Sequence, residues 1–246
     1  MRKMQTLRVR NTVLSAARAR IAVPLVGQSP ETILAQARRA VDEGAELLEW
    51  RADYAALDAE GTAALLRSLR ALAGDVPLLY TLAPTSAGGF FRGTAAEYCA
   101  LCLAAAHSGE ADLVNVVGET PDAAGLVAAL HGAGVRAGAA QHDWDGTPPA
   151  AELLARLRAL AATGADIVKL AVTAHGAQDV DELARAAAAW PEDGAPLILL
   201  AMGEAGTITR IDCARFRSVV TFASVGDGSA PGQLPLRELR SRLRGL

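Results

Sequence analysis

Eight times over, the chain alternates a short β-branched or leucine-rich run with a longer Ala/Leu/Arg segment whose apolar residues recur at i, i+3 and i+4. The runs are Arg20–Val26, Glu46–Asp53, Pro77–Leu82, Leu113–Val117, Arg136–Asp143, Asp166–Thr173, Pro196–Gly203 and Val219–Val225. Their starts lie 23 to 36 residues apart, the length of one strand and its crossover helix. The spacing predicts helices over Pro30–Glu43, Thr62–Leu72, Ala95–Ala106, Ala123–Leu130, Pro149–Ala162, Asp179–Ala189 and Leu236–Leu243, with a short one at Asp212–Arg217. Gly44, Gly74, Gly109, Gly134, Gly164 and Gly194 each fall between a helix and the next strand, where a left-handed cap favours glycine. Eight such units in 246 residues predict an α/β fold, a single-domain (β/α)8 TIM barrel over residues 20–246. The competing architecture, an open doubly wound sheet, lacks a GxGxxG after the first strand.

Residues 1–19 precede the barrel and carry the basic residues Arg2, Lys3, Arg8, Arg10 and Arg18, with Arg20 following, and no acid. Such a start can be a transit peptide, but Leu7 and Val9 followed by Val13 and Leu14 read as a short N-terminal hairpin closing the barrel bottom. The composition is 51% apolar with a mean hydropathy of +0.22, as in a globular chain with a large core. A net charge of −3 excludes a basic nucleic-acid footprint, and the longest apolar runs, such as Pro196–Met202, are too short to span a membrane. Cys99, Cys102 and Cys213 show no metal-ligand spacing, and the CxxC lies inside a helical pattern without a redox strand. They read as reduced thiols of a cytoplasmic protein, with no metal and no cofactor implied.

Of the 24 basic residues only two are lysines, Lys3 and Lys169. A coding bias toward arginine explains the general scarcity but not a lysine kept inside an apolar strand. Lys169 shares a face with Ile167 and Ala171. Burial there favours the neutral amine, a nucleophile able to form a Schiff base with a ketone or aldehyde; the bland alternative is an interior ion pair with Glu49. In a barrel the other reacting groups belong at the C-terminal strand ends. The second strand puts Glu49, Arg51 and Asp53 on one face and Trp50 on the other, which makes either an anion site or a buried ion pair. His142, at the end of the fifth strand, is a candidate general acid/base or a capped core histidine, whereas His107, His131 and His175 read as surface residues. Arg210 suits a carboxylate, and Ser229 through Gln233 offer hydroxyl, amide and backbone donors. The loops after the last two strands are also where many barrels bind phosphate, so a Schiff-base aldolase of phosphosugars is a rival.

These motifs in order, Glu49-Trp50-Arg51-Ala52-Asp53, Gln141-His142-Asp143-Trp144, Lys169 within Ala165–Val172, Met202 through Gly206 to Arg210, and Ser229-Ala-Pro-Gly-Gln233, resemble the type I 3-dehydroquinate dehydratases. The resemblance runs from about Arg8 to the C-terminus. It implies a cofactor-free lyase of the shikimate or quinate pathway, cytoplasmic and homodimeric, acting on a small cyclic keto acid. Lys169 and His142 would be catalytic, and Glu49, Arg51, Met202, Arg210, Ser229 and Gln233 would bind substrate. The chain departs from the family pattern at Ala83 and Ala87, where an Arg and a Glu are usual, and at Asn115 and Val117, which replace an acidic pair. Arg92 is the candidate replacement for the lost arginine. The departures keep open a paralogue for a related cyclic keto acid and a non-catalytic barrel that binds an anionic metabolite.

Overall fold

The computed structural model describes residues 6–226 and 229–244, so Arg2, Lys3 and the first five residues of the expected N-terminal extension lie outside it. Strands β1 (Thr6–Val9) and β2 (Thr12–Ser15) pair antiparallel around a tight turn at Arg10 and Asn11. Then come β3 (Arg20–Leu25), α1 (Pro30–Asp42), β4 (Leu47–Arg51), α2 (Ala59–Ala73), β5 (Leu78–Thr81), α3 (Ala95–His107) and β6 (Leu113–Val117). The second half holds α4 (Ala123–Gly132), β7 (Arg136–His142), α5 (Ala150–Ala162), β8 (Ile167–Thr173), α6 (Ala177–Ala189) and β9 (Leu197–Met202). It ends with α7 (Ile208–Ile211), β10 (Val220–Ser224), β11 (Leu234–Pro235) and α8 (Leu236–Arg244). Strands β3 to β9 lie side by side in chain order, all parallel, and β10 pairs with β3.

The ring closes between β9 and β10 by a side chain where a full ladder is missing. Val219 N–H donates to Leu197 O at 2.8 Å, and the buried Ser218 hydroxyl accepts from Leu199 N and donates to Leu199 O, each at 2.9 Å. The result is the (β/α)8 barrel the sequence period predicts.

Strand alternation then sorts the side chains. In β4, Leu48 and Trp50 point outward into the layer between sheet and helices, while Leu47 points into the barrel. The lower interior is apolar: Leu47, Leu79, Leu113, Ile167, Ile198 and Val220 pack with Leu7, Val9 and Leu14 of the β1/β2 hairpin. The hairpin's apolar residues thus meet the bottom of the barrel, and polar chemistry is confined to the opposite mouth.

Two local expectations need correction. Segment 212–217 is not helical; the helical turn is α7, one turn earlier. Thr209 fixes it there, since its hydroxyl donates to Gly206 O at 2.7 Å and accepts from Ala201 N at 3.0 Å, while Arg217 takes a positive φ of 53° that no helix continues through. Gly44, Gly74, Gly109, Gly134 and Gly164 do have positive φ, but Gly194 does not. Glycine stands at 194 because a Cβ would lie 2.7 Å from Trp190 Nε1, so the indole packs against bare backbone.

Candidate active site

One cavity at the C-terminal end of the strands is lined by the two expected catalytic residues and the six expected substrate-binding residues: Glu49 and Arg51 from β4, His142 from β7, Lys169 from β8, Met202 from β9, Arg210 from α7, and Ser229 and Gln233 from the loop after β10. Residues as far apart in the chain as Glu49 and Gln233 are gathered there because each parallel strand delivers its C-terminal end to the same rim.

Lys169 is half-buried, its stem enclosed by the barrel and its Nζ 4.4 Å from the centroid of the Phe222 ring. Burial holds its pKa below the usual lysine value; Glu49 opposes the shift, and the cations Arg51 and Arg210 add to it. The alternative of a Lys169–Glu49 ion pair is not formed: buried Glu49 instead accepts a hydrogen bond from Thr81 Oγ1 at 2.9 Å. Among the described residues no carboxylate is paired with the amine.

Arg51 is held by Asp53, Nε to Oδ1 at 2.8 Å and Nη2 to Oδ2 at 2.7 Å. Period two would have placed Asp53 in the cavity with Glu49 and Arg51. The strand ends at Arg51, however, and Asp53 sits in the following turn (Ala52–Tyr54), outside the cavity lining, where it braces the guanidinium and accepts from Phe90 N at 3.2 Å. Its role is to fix Arg51 in one fork geometry.

His142 closes β7, opposite Ala171 in the β8 register. Burial, then the neighbouring Lys169 and Arg51 cations, pull its pKa down to about 3, so the imidazole is neutral across the physiological range. Among the described residues its buried Nδ1 has no hydrogen-bond partner, which leaves Nε2 as the nitrogen open to the cavity.

Arg210 is 2% exposed, donates from Nη2 to Pro231 O at 3.2 Å, and keeps a buried Nε with no partner among the described residues. Burial lowers its pKa to about 10, which still leaves it charged at neutral pH. A buried guanidinium with donors to spare is the strongest anion site in the cavity. Ser229 and Gln233 close their loop on each other, Ser229 N to Gln233 Oε1 and Gln233 Nε2 to Ser229 Oγ, both 2.9 Å. Leucine at 210 removes charged hydrogen bonds to a bound carboxylate, each worth about 1.5–3 kcal/mol, so Arg210→Leu is expected to raise KM about 10- to 100-fold with a smaller effect on kcat. Steady-state kinetics over a range of substrate concentrations check this.

Sequence reasoning missed Thr81, Phe222 and Trp144 as cavity residues. The first two occupy inward positions of the strand alternation, and that position was the available signal. Arg92 does not replace the missing arginine: it is exposed and lines a separate cleft with Asp58, Phe90 and Leu101. The sector of Ala83, Ala87 and Val117 therefore stays apolar, with the Asn115 amide as its polar group.

Fold and cavity together define a (β/α)8-barrel enzyme whose mouth carries an amine with a lowered pKa, a neutral imidazole and a buried arginine. The comparisons agree: the model of the family described as type I 3-dehydroquinase matches residues 21–246, and the chain belongs to that family. It is 35% identical over 238 residues to the 3-dehydroquinate dehydratase of Klebsiella pneumoniae subsp. pneumoniae, covering 94% of this chain and 95% of the relative. Its structure superposes on the 3-dehydroquinate dehydratase of Geobacillus kaustophilus with a TM-score of 0.94 at 33% identity, over 100% of this chain and 98% of that one. A Clostridium difficile type I 3-dehydroquinate dehydratase carrying covalently modified comenic acid superposes with a TM-score of 0.90 at 28% identity, over 98% and 97%.

Proposed function

We propose that this protein dehydrates 3-dehydroquinate to 3-dehydroshikimate through a Schiff base on Lys169. The observation that carries the reading is the Lys169 amine, unpaired with any carboxylate among the described residues and held toward its neutral form in a cavity shared with His142 and the partly unpartnered Arg210. The substrate carboxylate sits on Arg210, and Glu49, Arg51, Ser229 and Gln233 take the ring hydroxyls, with Met202 packing against the ring. The Lys169 amine adds to the C3 ketone, and the carbinolamine loses water to give an iminium. That cation acidifies the C2 hydrogens. Nε2 of His142 removes one of them to give an enamine, then returns the proton to the C1 hydroxyl as it departs as water. Hydrolysis of the product iminium frees the enzyme, so the net change is loss of one water.

Borohydride reduction in the presence of 3-dehydroquinate is expected to leave a stable adduct on Lys169 found by peptide mass analysis, with dehydroshikimate released in the unreduced reaction. No adduct at Lys169 would sink the reading. The apolar sector at Ala83, Ala87 and Val117 favours a second reading, the same chemistry on a related cyclic keto acid with fewer polar substituents. An adduct without dehydroshikimate release would select it. Three unpaired thiols support a reducing, cytoplasmic setting, and the family relationship supports a homodimer in the shikimate pathway.

A further inference from the structure

The geometry points to Trp144 as the residue that holds the His142 imidazole in its working orientation, by ring stacking in place of a hydrogen bond; the inference rests on the reaction proposed above. The described residues packed around His142 leave its Nδ1 without a partner. Facing it are Lys169 from β8 and Arg51 from β4, both cationic, and the cavity wall nearby is Val117 and Asn115 from β6 with Ala87 from the turn after β5. No carboxylate among the described residues orients the ring through Nδ1. An imidazole free to swing would present Nε2 to substrate only part of the time.

The contact that remains is the Trp144 indole, whose centroid lies 5.8 Å from that of His142 at an interplanar angle of 17°, an offset stack. The indole is itself clamped. Gly88, at φ +76°, passes so close that a Cβ there would fall 2.3 Å from the indole Cε2 and Cζ2. The main chain beneath the ring is tied to β8, since Thr173 Oγ1 donates to Trp144 O at 2.9 Å and Asp143 N donates to Ala171 O at 2.8 Å. The Asp143 carboxylate adds Gly146 N at 3.1 Å and Arg156 Nη1 at 2.9 Å. A fixed plate is thus set between the Gly88 backbone and the imidazole, whose Nδ1 has no polar anchor among the described residues. Trp144 is a positioning residue for proton transfer at Nε2.

Trp144→Phe keeps a ring face, whereas Trp144→Leu keeps bulk without one. The phenylalanine variant is expected to retain kcat on 3-dehydroquinate within about threefold, and the leucine variant to lose about tenfold with KM nearly unchanged. In the leucine variant water reaches the imidazole, so its NMR titration in the resting protein moves up toward the free value of about 6.5. A merely structural role would lower the folded fraction without moving that titration. Wild-type kcat and an unmoved His142 titration in Trp144→Leu overturn the inference, as does a change confined to KM. If Trp144→Leu does not fold, Gly88→Ala pushes the indole from its other side and is read in the same two ways. Should the wild-type protein not turn over 3-dehydroquinate, the functional reading fails, while the imidazole titration, which needs no substrate, still decides the role of Trp144.

Discussion

Lys169→Ala is expected to lower kcat by at least about 10⁴-fold and to abolish borohydride trapping, because every bond change of the proposed reaction passes through the amine. Lys169→Arg is expected to fail as completely, since a guanidinium stays protonated and cannot add to a ketone. The wild-type pH profile carries the same assignment. Burial, with Arg51 and Arg210 nearby, puts the amine's pKa below that of a free lysine despite the opposing Glu49. The neutral, reactive amine is lost as pH falls through that value, so kcat/KM should rise with pH and reach its plateau before the ordinary lysine range near about 10.4. The sign for stability is the reverse of an ordinary lysine gaining a partner. A basic group with a depressed folded-state pKa binds its proton more readily in the unfolded chain, so folding is penalised at pH values below the unfolded pKa. Lys169→Ala should therefore melt no lower than wild type at neutral pH, which separates loss of chemistry from loss of fold in one thermal scan.

His142→Ala is the second large effect, a fall in kcat of about 10²- to 10⁴-fold with borohydride adducts still forming, because the imidazole moves protons and forms no bond to carbon. Its pKa of about 3 makes the wild-type enzyme's dependence on this residue flat from pH 5 upward, so the low-pH decline belongs to Lys169. An ionisation of the His142 imidazole seen near pH 6.5 in the resting enzyme would contradict the cavity electrostatics described here. Trapped adduct and product release, followed side by side at several pH values, distinguish the two variants.

The eightfold period carried the architecture because each βα unit must bury one strand face and one helix stripe, and that requirement writes itself into spacing. Lys169, His142 and Arg210 were legible for a related reason: a charged or titratable residue inside an apolar strand end conflicts with its surroundings unless it has work to do. What stayed hidden depends on contacts distant in the chain. Asp53 was extrapolated along β4 past the point where the strand ends. The helical turn at α7 contains Ile208, Thr209 and Ile211, residues of modest helix propensity, and only the Thr209 bonds to Gly206 and Ala201 settle it there. Trp144 and Phe222 read as ordinary apolar residues until His142 and Lys169 are seen beside them. Arg92 looked close in sequence to the cavity, yet the turn after β5 carries it outward.

The closing seam has a consequence for how the molecule comes into being. Strand β3 waits for β10, its hydrogen-bonded neighbour about 200 residues later, and the Ser218 bridge to Leu199 forms only when both are present. During synthesis the growing sheet therefore carries two open edges, β3 and whichever strand has emerged last, and such edges are where chains pair with the wrong partner. The amine of Lys169 and the imidazole of His142 are made early, on strands already side by side. Arg210, Ser229 and Gln233 arrive with the segment that shuts the ring, so the means to grip a carboxylate is acquired at the moment the barrel becomes whole.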